Sequence, residues 1–267
     1  MSGWMAFVIG VGMMALVFSI AWRWARRCDN YSLVDAAWAF GIGLTGVLWL
    51  ILTGDGTIKH WVAGGLITLW SLRLGWHLQR RIRRAHPHED ARYAKLREVW
   101  KGRVPSAFFW FFQAQGISVV VLALPFLLIG VDRDSSWSVW EAMGLAVTLM
   151  GILGAGLADS QMSAFKASNS DSKAVCQDGL WQYSRHPNYF FESVIWIGFY
   201  LFTCGSEWGW AMLHAPAIII YLLLRVTGIP PTEATAVISK GEAYRRYQRT
   251  TSAFIPRPPR RFNLYLP

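Results

Sequence analysis

Seven apolar segments divide this chain, each near the ~20 residues needed to cross a bilayer. They run over residues 4–23, 33–53, 60–79, 107–130, 137–158, 189–205 and 208–226. Segments of that length read as membrane-spanning helices, so the expected fold is all-α and polytopic, with about seven transmembrane helices. The last two are short and separated only by Gly205-Ser206-Glu207. Composition agrees: charged residues make up 16% of the chain, against about 25% in a soluble domain. Sixteen Trp add the signature of membrane interfaces. At 267 residues, the length suits a single membrane-embedded domain over 1–267 and leaves no room for a separate soluble enzyme.

Basic residues set the expected orientation. The formal net charge is +10, and 22 of the 26 Lys and Arg fall in 23–27, 80–103, 159–187 and 240–261. The intervening links hold only Lys59 and Arg133. The positive-inside rule places the basic segments in the cytoplasm, which seven spans satisfy with the N-terminus outside and the C-terminus cytoplasmic. The first apolar run has no charge ahead of it and is followed by Arg23, Arg26 and Arg27, so it reads as a retained span and not a secretory signal. Because the basic runs are loops between spans, nucleic acid is not an expected partner. Cys28, Cys176 and Cys204 include no close pair and imply no disulfide framework. The tail from Pro230 to Arg261 predicts an amphipathic helix over Thr232–Arg249 and then a Pro-rich stop.

The densest chemistry is Gly179-Leu180-Trp181-Gln182-Tyr183-Ser184-Arg185-His186-Pro187-Asn188-Tyr189, directly ahead of an apolar run. Lipid anchoring would require only Arg, Lys and Tyr; the Arg-His-Pro-Asn order points instead to a pocket for a polar cofactor. Ionisable residues inside spans are functional hypotheses by default, and here they are Asp35, Arg73, His77, Glu192 and Arg225. Arg73, His77 and Arg80 share a helix face. Asp159, Met162 and Lys166 fall on one stripe if the fifth span continues past the membrane; a carboxylate suits ribose and a lysine suits phosphate. Alone, that segment reads more readily as a solvated helix end, and it gains weight only beside Arg185-His186. The arginines of 80–103 serve lipid contact or phosphate binding. His86-x-His88 lacks a third ligand, so no metal is expected. Gly41-x-Gly43-x-x-Gly46 matches a dinucleotide fingerprint but lies inside an apolar span with no preceding strand. Gly151, Gly154 and Gly156 read as close helix packing. No Gly-x-Ser-x-Gly elbow or phosphate loop is present.

The run from Gly179 to Glu192 resembles the steroid 5α-reductase-like membrane proteins, and most closely their bacterial branch of uncharacterised members. The resemblance extends through Asn30-Tyr31-Ser32-Leu33-Val34-Asp35-x-x-Trp38, Arg73-Leu74-Gly75-x-His77-Leu78, Glu89-Asp90-x-Arg92-Tyr93, Gln113-x-Gln115-Gly116 and Asp159-Ser160-Gln161. It continues with Gly228-Ile229-Pro230 followed by Glu233, and with Tyr247-Gln248-x-x-Thr251-Ser252-Ala253-Phe254-Ile255-Pro256. The Arg-His-Pro-x-Tyr core is also similar to membrane methyltransferases that use S-adenosylmethionine.

The resemblance implies a seven-span bundle in a membrane, the bacterial inner membrane by its branch, holding NADPH on the cytoplasmic side in a half spanning about 140–260. It implies reduction of a carbon–carbon double bond conjugated to a carbonyl in a hydrophobic, steroid-like or other lipid substrate. The implied cofactor residues are Arg80, Asp159, Lys166, Tyr183, Asn188 and Glu192, with Arg185, His186 and Tyr247 added for their chemistry. The basic loop and Lys166 favour a 2′-phosphate. Characterised steroid reductases carry a Gln-Glu pair in the second span and a Tyr in the third; here Asp35 is the nearest acid and His77 stands near the Tyr position. Asp35 and His77 are therefore the expected catalytic pair, with Asp35 orienting His77. Two other readings remain open: an S-adenosylmethionine-dependent lipid or isoprenylcysteine methyltransferase, and a non-enzymatic lipid-binding membrane protein.

Overall fold

The computed structural model describes residues 1–171 and 173–260. Arg261, the end of the last basic cluster, lies outside the described residues. Ten α-helices occur among them: α1 (Gly3–Arg27), α2 (Leu33–Thr53), α3 (Ile58–Ala85), α4 (Ala91–Val99), α5 (Val104–Val131), α6 (Val139–Ser168), α7 (Pro187–Thr203), α8 (His214–Tyr221), α9 (Ile229–Lys240) and α10 (Glu242–Thr250). No strand is present among the described residues, and a lone parallel bridge joins Ser184 to Ser252. The chain is an all-α polytopic membrane protein. Five segments are long and apolar enough to cross a bilayer: α1, α2, α5, α6 and Gly209–Lys240.

The expected segments at 60–79 and 189–205 also form helices, but each stops short of that standard for a physical reason. The second half of α3 carries Arg73, His77, Arg80, Arg81, Arg83 and Arg84, and α7 has only 17 residues. The expected run 208–226 is not one α-helix. It opens with a tight turn at Gly209–Leu213, continues as α8, and ends in a π-helical turn at Leu222–Val226. The expected amphipathic helix over Thr232–Arg249 is two helices, because Gly241 takes φ +59°, a left-handed conformation that breaks the ladder between α9 and α10.

The chain divides into two compact units. The first comprises Met1–Ala142 and Phe202–Ala215, and the second comprises Met143–Leu201 and the described residues from Pro216 onward.

In the first unit α2 packs against α1, α3 and α5. Small residues permit the approach: a Cβ on Gly43 would sit 2.3 Å from the Ser71 hydroxyl, and one on Gly46 3.2 Å from the Phe126 ring. The Gly41–Gly46 pattern is thus helix packing and not a nucleotide loop. Trp49, fully buried, donates its indole N–H to the Ala6 carbonyl at 2.7 Å and pins α2 to α1.

The starts of α3 and α6 meet through a buried ion pair. Lys59 Nζ lies 2.7 Å from Glu141, with the two side chains 4% and 1% exposed. The Ser138 backbone N–H donates to the other Glu141 oxygen at 2.9 Å. A Cβ on Gly205 would fall 2.1 Å from that carboxyl group, so the carboxylate is enclosed on this side by bare backbone.

In the second unit α6 and α7 are in close contact. A Cβ on Gly154 would meet the Phe191 ring at 2.3 Å, one on Gly151 would meet Ile195 at 2.6 Å, and one on Gly198 would meet Thr148 at 2.3 Å. Gly156 faces open space and takes no part.

Removing one member of a buried pair strands the other charge, at a cost of about 3–5 kcal/mol. Lys59→Ala is expected to lose stability on that scale, whereas the apolar pair Lys59→Met with Glu141→Leu recovers most of it. Thermal unfolding of the detergent-purified proteins checks this; a double variant no more stable than the single one would contradict it.

Candidate functional site

A tight turn at Gly179–Gln182 precedes the Arg-His-Pro segment, whose Pro187 is the first residue of α7. Gly179 takes φ +58°, and a Cβ there would meet the Gln161 side chain at 2.3 Å, so this corner requires glycine. Two bonds tie the turn to the end of α6: Leu180 N–H donates to Gln161 Oε1 at 2.9 Å, and the Trp181 indole donates to the Ala158 carbonyl at 3.0 Å. The α6 helix runs on to Ser168, so Asp159, Met162 and Lys166 do share its stripe.

Arg185 and His186 point into the protein. Arg185 Nε donates to Glu233 Oε1 at 2.6 Å, and its Nη1 donates to the Gln248 and Thr251 carbonyls at 3.0 and 2.5 Å. His186 Nε2 lies 3.2 Å from the same Glu233 oxygen, its ring stacked on Tyr189. Gln248 Nε2 donates to Glu233 Oε2 at 2.9 Å. Glu233 is therefore a hub for three side chains from two segments, the turn ahead of α7 and α10. The tail runs beside the motif: Arg185 N–H donates to the Ser252 carbonyl at 2.8 Å, Ser184 Oγ to the Phe254 carbonyl at 2.8 Å, and Arg257 N–H to the Tyr183 carbonyl at 2.9 Å. Tyr247, also buried, donates its hydroxyl to the carbonyls of Trp181 and Ser184. Burial pushes its phenol well above the ordinary tyrosine range, and the neighbouring Tyr244 phenol adds to the shift.

The other expected cofactor residues of this unit stand differently. Asn188 lies in the first turn of α7, and its side-chain carbonyl Oδ1 is buried with no hydrogen-bond partner. A buried acceptor left unbonded costs about 1–3 kcal/mol, so it calls for a donor. Glu192 lies one turn further along α7 and accepts from the Trp196 indole at 3.2 Å. Tyr183 is 40% exposed, and Lys166 is exposed with no ion pair among the described residues. Asp159 is half-buried on α6.

Arg80, Asp35 and His77 belong to the first unit. Arg80 is exposed and lies over the Trp76 ring at 5.2 Å. His77 is half-buried midway along α3. Asp35 has another set of partners: Tyr93 donates to Oδ1 at 2.5 Å, while Arg92 and Arg81 donate to Oδ2 at 2.7 and 3.4 Å. His77 is not among them. Around Asp35, Tyr31 N–H donates to Glu89 at 2.5 Å, Asp90 N–H to Ser32 at 3.0 Å, and Arg97 to Glu89 at 2.6 Å. The segments Asn30–Asp35 and Glu89–Tyr93 thus form one ion-pair network that docks α4. Burial and the Asp35 charge hold the Tyr93 phenol well above its ordinary range. Burial opposes ionisation of Asp90, yet bonds and charge from Arg92 hold its carboxyl below the usual range.

Sequence reasoning missed Glu233 as a hub and Tyr93 as the partner of Asp35. An acid in the otherwise basic tail was the available signal for Glu233, since it needs a cationic partner to be buried there.

A family model described as a protein of unknown function, DUF1295, matches residues 21–251. The chain belongs to this family. The family is steroid 5α-reductase-like, in line with the resemblance of the motifs. One relative is the uncharacterised protein C594.04c of the fission yeast Schizosaccharomyces pombe, 25% identical over 94% of this chain and 80% of its own length. No solved structure matches the chain.

Two outcomes test these networks. Glu233→Ala is expected to destabilise the protein by about 3 kcal/mol, by stranding Arg185 and His186, and to speed protease cleavage within 241–257; unchanged cleavage would refute the hub. Asp90, with its carboxyl held below the usual range, contributes stability above its unfolded pKa and loses it as pH falls through the lower folded value. The melting-temperature difference between the wild type and Asp90→Asn should therefore shrink on acidification, and a constant difference would speak against the assignment.

Proposed function

We propose that this chain is an NADPH-dependent reductase of a carbon–carbon double bond conjugated to a carbonyl in a hydrophobic lipid. The observation that carries the reading is the unbonded buried oxygen of Asn188. It sits next to the Arg-His-Pro motif, in a chain of a reductase-like family. A carboxamide N–H is a fitting donor for that oxygen, and nicotinamide carries one. The bound cofactor would supply hydride.

The protein's own groups divide by role in this reading. Asn188 orients the nicotinamide end through its amide. Tyr183 offers an exposed ring and hydroxyl, Asp159 a carboxylate for ribose hydroxyls, and Lys166 a free ammonium for phosphate. Arg185, His186 and Tyr247 act one step back: their polar atoms hold the turn and the tail, so they position Asn188 and do not themselves touch the cofactor. Glu192 fixes the same face of α7 one turn on. His77 is the proton donor in this reading, as the residue near the position of the family's Tyr. Asp35, engaged by Tyr93 and two arginines, secures α4.

Equilibrium binding of NADPH, NADH and S-adenosylmethionine to the purified protein tests this. Selective NADPH binding is expected, weakened about tenfold or more by Asn188→Ala. Lys166→Ala should erase most of the preference for NADPH over NADH. His77→Phe should abolish turnover of enone lipids while leaving NADPH binding intact, whereas Asp35→Asn should act mainly on stability. Selective binding of S-adenosylmethionine would replace this reading with a methyl transfer.

A further inference from the structure

The junction between α4 and α5 carries a feature that neither the cofactor reading nor the ion-pair networks use. Gly102, at φ +87°, turns the chain there, and a cavity of about 410 Å³ opens beside it. It is lined by Trp100, Arg103, Ser106, Ala107, Trp110 and Phe111. The cavity lies at the first turns of α5, one of the membrane-crossing segments, and so at the level where chain and bilayer surface meet.

Its lining is made of donors and rings. Arg103 in the lining and exposed Lys101, two residues before it and outside the lining, form no ion pair among the described residues, although Arg81, Arg92 and Arg97 of the same polar stretch are all paired. The indole N–H groups of Trp100 and Trp110 have no acceptor among the described residues, whereas nearby Trp22 donates to the Pro105 carbonyl at 3.0 Å. No carboxylate lines the cavity; Glu98, the nearest acid in sequence, is exposed outside it. Beyond the cavity, Trp110, Ala114 and Ile117 continue one exposed apolar stripe down α5, with Trp110 69% and Ile117 65% exposed. A ligand that fits must bring several acceptors and negative charge at one end and hydrocarbon at the other.

We propose that this cavity binds an anionic glycerophospholipid of the surrounding bilayer, its phosphodiester at Arg103 and Lys101 and its acyl chains along Trp110 and Ile117. A choline headgroup fits less well, because its fixed positive charge would face two unpaired cations with no carboxylate to offset them. Free phosphate would use the cations but not the stripe.

Native mass spectrometry of the full chain, exchanged into detergent with defined lipids, tests the site. Dioleoylphosphatidylglycerol should be retained over dioleoylphosphatidylcholine, and Lys101→Ala with Arg103→Ala should lower that preference about tenfold, from two interfacial charges. Arg103→Lys should keep most of it. Trp110→Leu should weaken retention of phosphatidylglycerol, and because Trp110 is largely exposed this variant carries the test if the charge variants do not fold. Arg257→Ala with Arg260→Ala, which removes equal charge elsewhere, should change nothing. Equal retention of both lipids, a preference that survives loss of Lys101 and Arg103, or displacement of the lipid by millimolar inorganic phosphate would each overturn the proposal.

Discussion

Burying an ionised side chain is among the most unfavourable steps a chain of this composition can take, and three clusters among the described residues meet that cost with specific partners. Lys59 and Glu141 join the starts of α3 and α6 with almost no exposure. Asp35 collects Tyr93, Arg92 and Arg81. Glu233 collects Arg185, His186 and Gln248. An apolar helix alone slides and rotates against its neighbours with little penalty, since lipid and side chain are equally apolar. A charge that has one acceptable partner fixes both register and rotation. The polar clusters therefore act as the locating points of helices whose apolar faces are otherwise weakly specific.

This changes what the two densest motifs are for. Asn30–Asp35 and Glu89–Tyr93 look like separate candidate sites in the sequence, yet they are the two halves of one docking network. The Arg-His-Pro segment looks like a ligand-facing loop, yet its arginine and histidine face inward and hold the tail. In the proposed reading the motif still belongs to a site. A loop clamped by Arg185, Tyr247 and the Ser184–Ser252 bridge presents Asn188 in one orientation, and a binding group needs that restriction to be selective.

The helices were legible because a 20-residue apolar run has few alternatives, and the family was legible because its motifs recur along the whole chain. Helix ends were less so. The apolar signal of α6 fades near residue 158, but the helix continues to Ser168, as its backbone bonds do not need apolar side chains. The single amphipathic helix over Thr232–Arg249 failed at one residue, Gly241, whose sign of φ no periodicity reveals. Site roles were least legible. Sequence shows that Arg185 and Asp35 are polar at a membrane boundary, but not which way they face. The partner that decides it lies 48 residues away for Arg185, and 57 and 58 away for Asp35.

The inward-facing arginine and histidine also bear on the nature of the cofactor. With Arg185, His186 and Tyr247 committed to the protein, the polar groups left in the second unit include one unbonded amide oxygen, an exposed tyrosine and an unpaired lysine. S-Adenosylmethionine carries no phosphate, and its one carboxylate is the only anionic group that an unpaired lysine could meet. NADPH carries a pyrophosphate and a further phosphate on the ribose, and a free ammonium in a chain of net charge +10 suits those groups. In the proposed reading the amide oxygen would accept from the nicotinamide carboxamide. In the proposed reading both considerations concern groups outside the shared Arg-His-Pro core, and so they favour NADPH where the core motif alone favours neither cofactor.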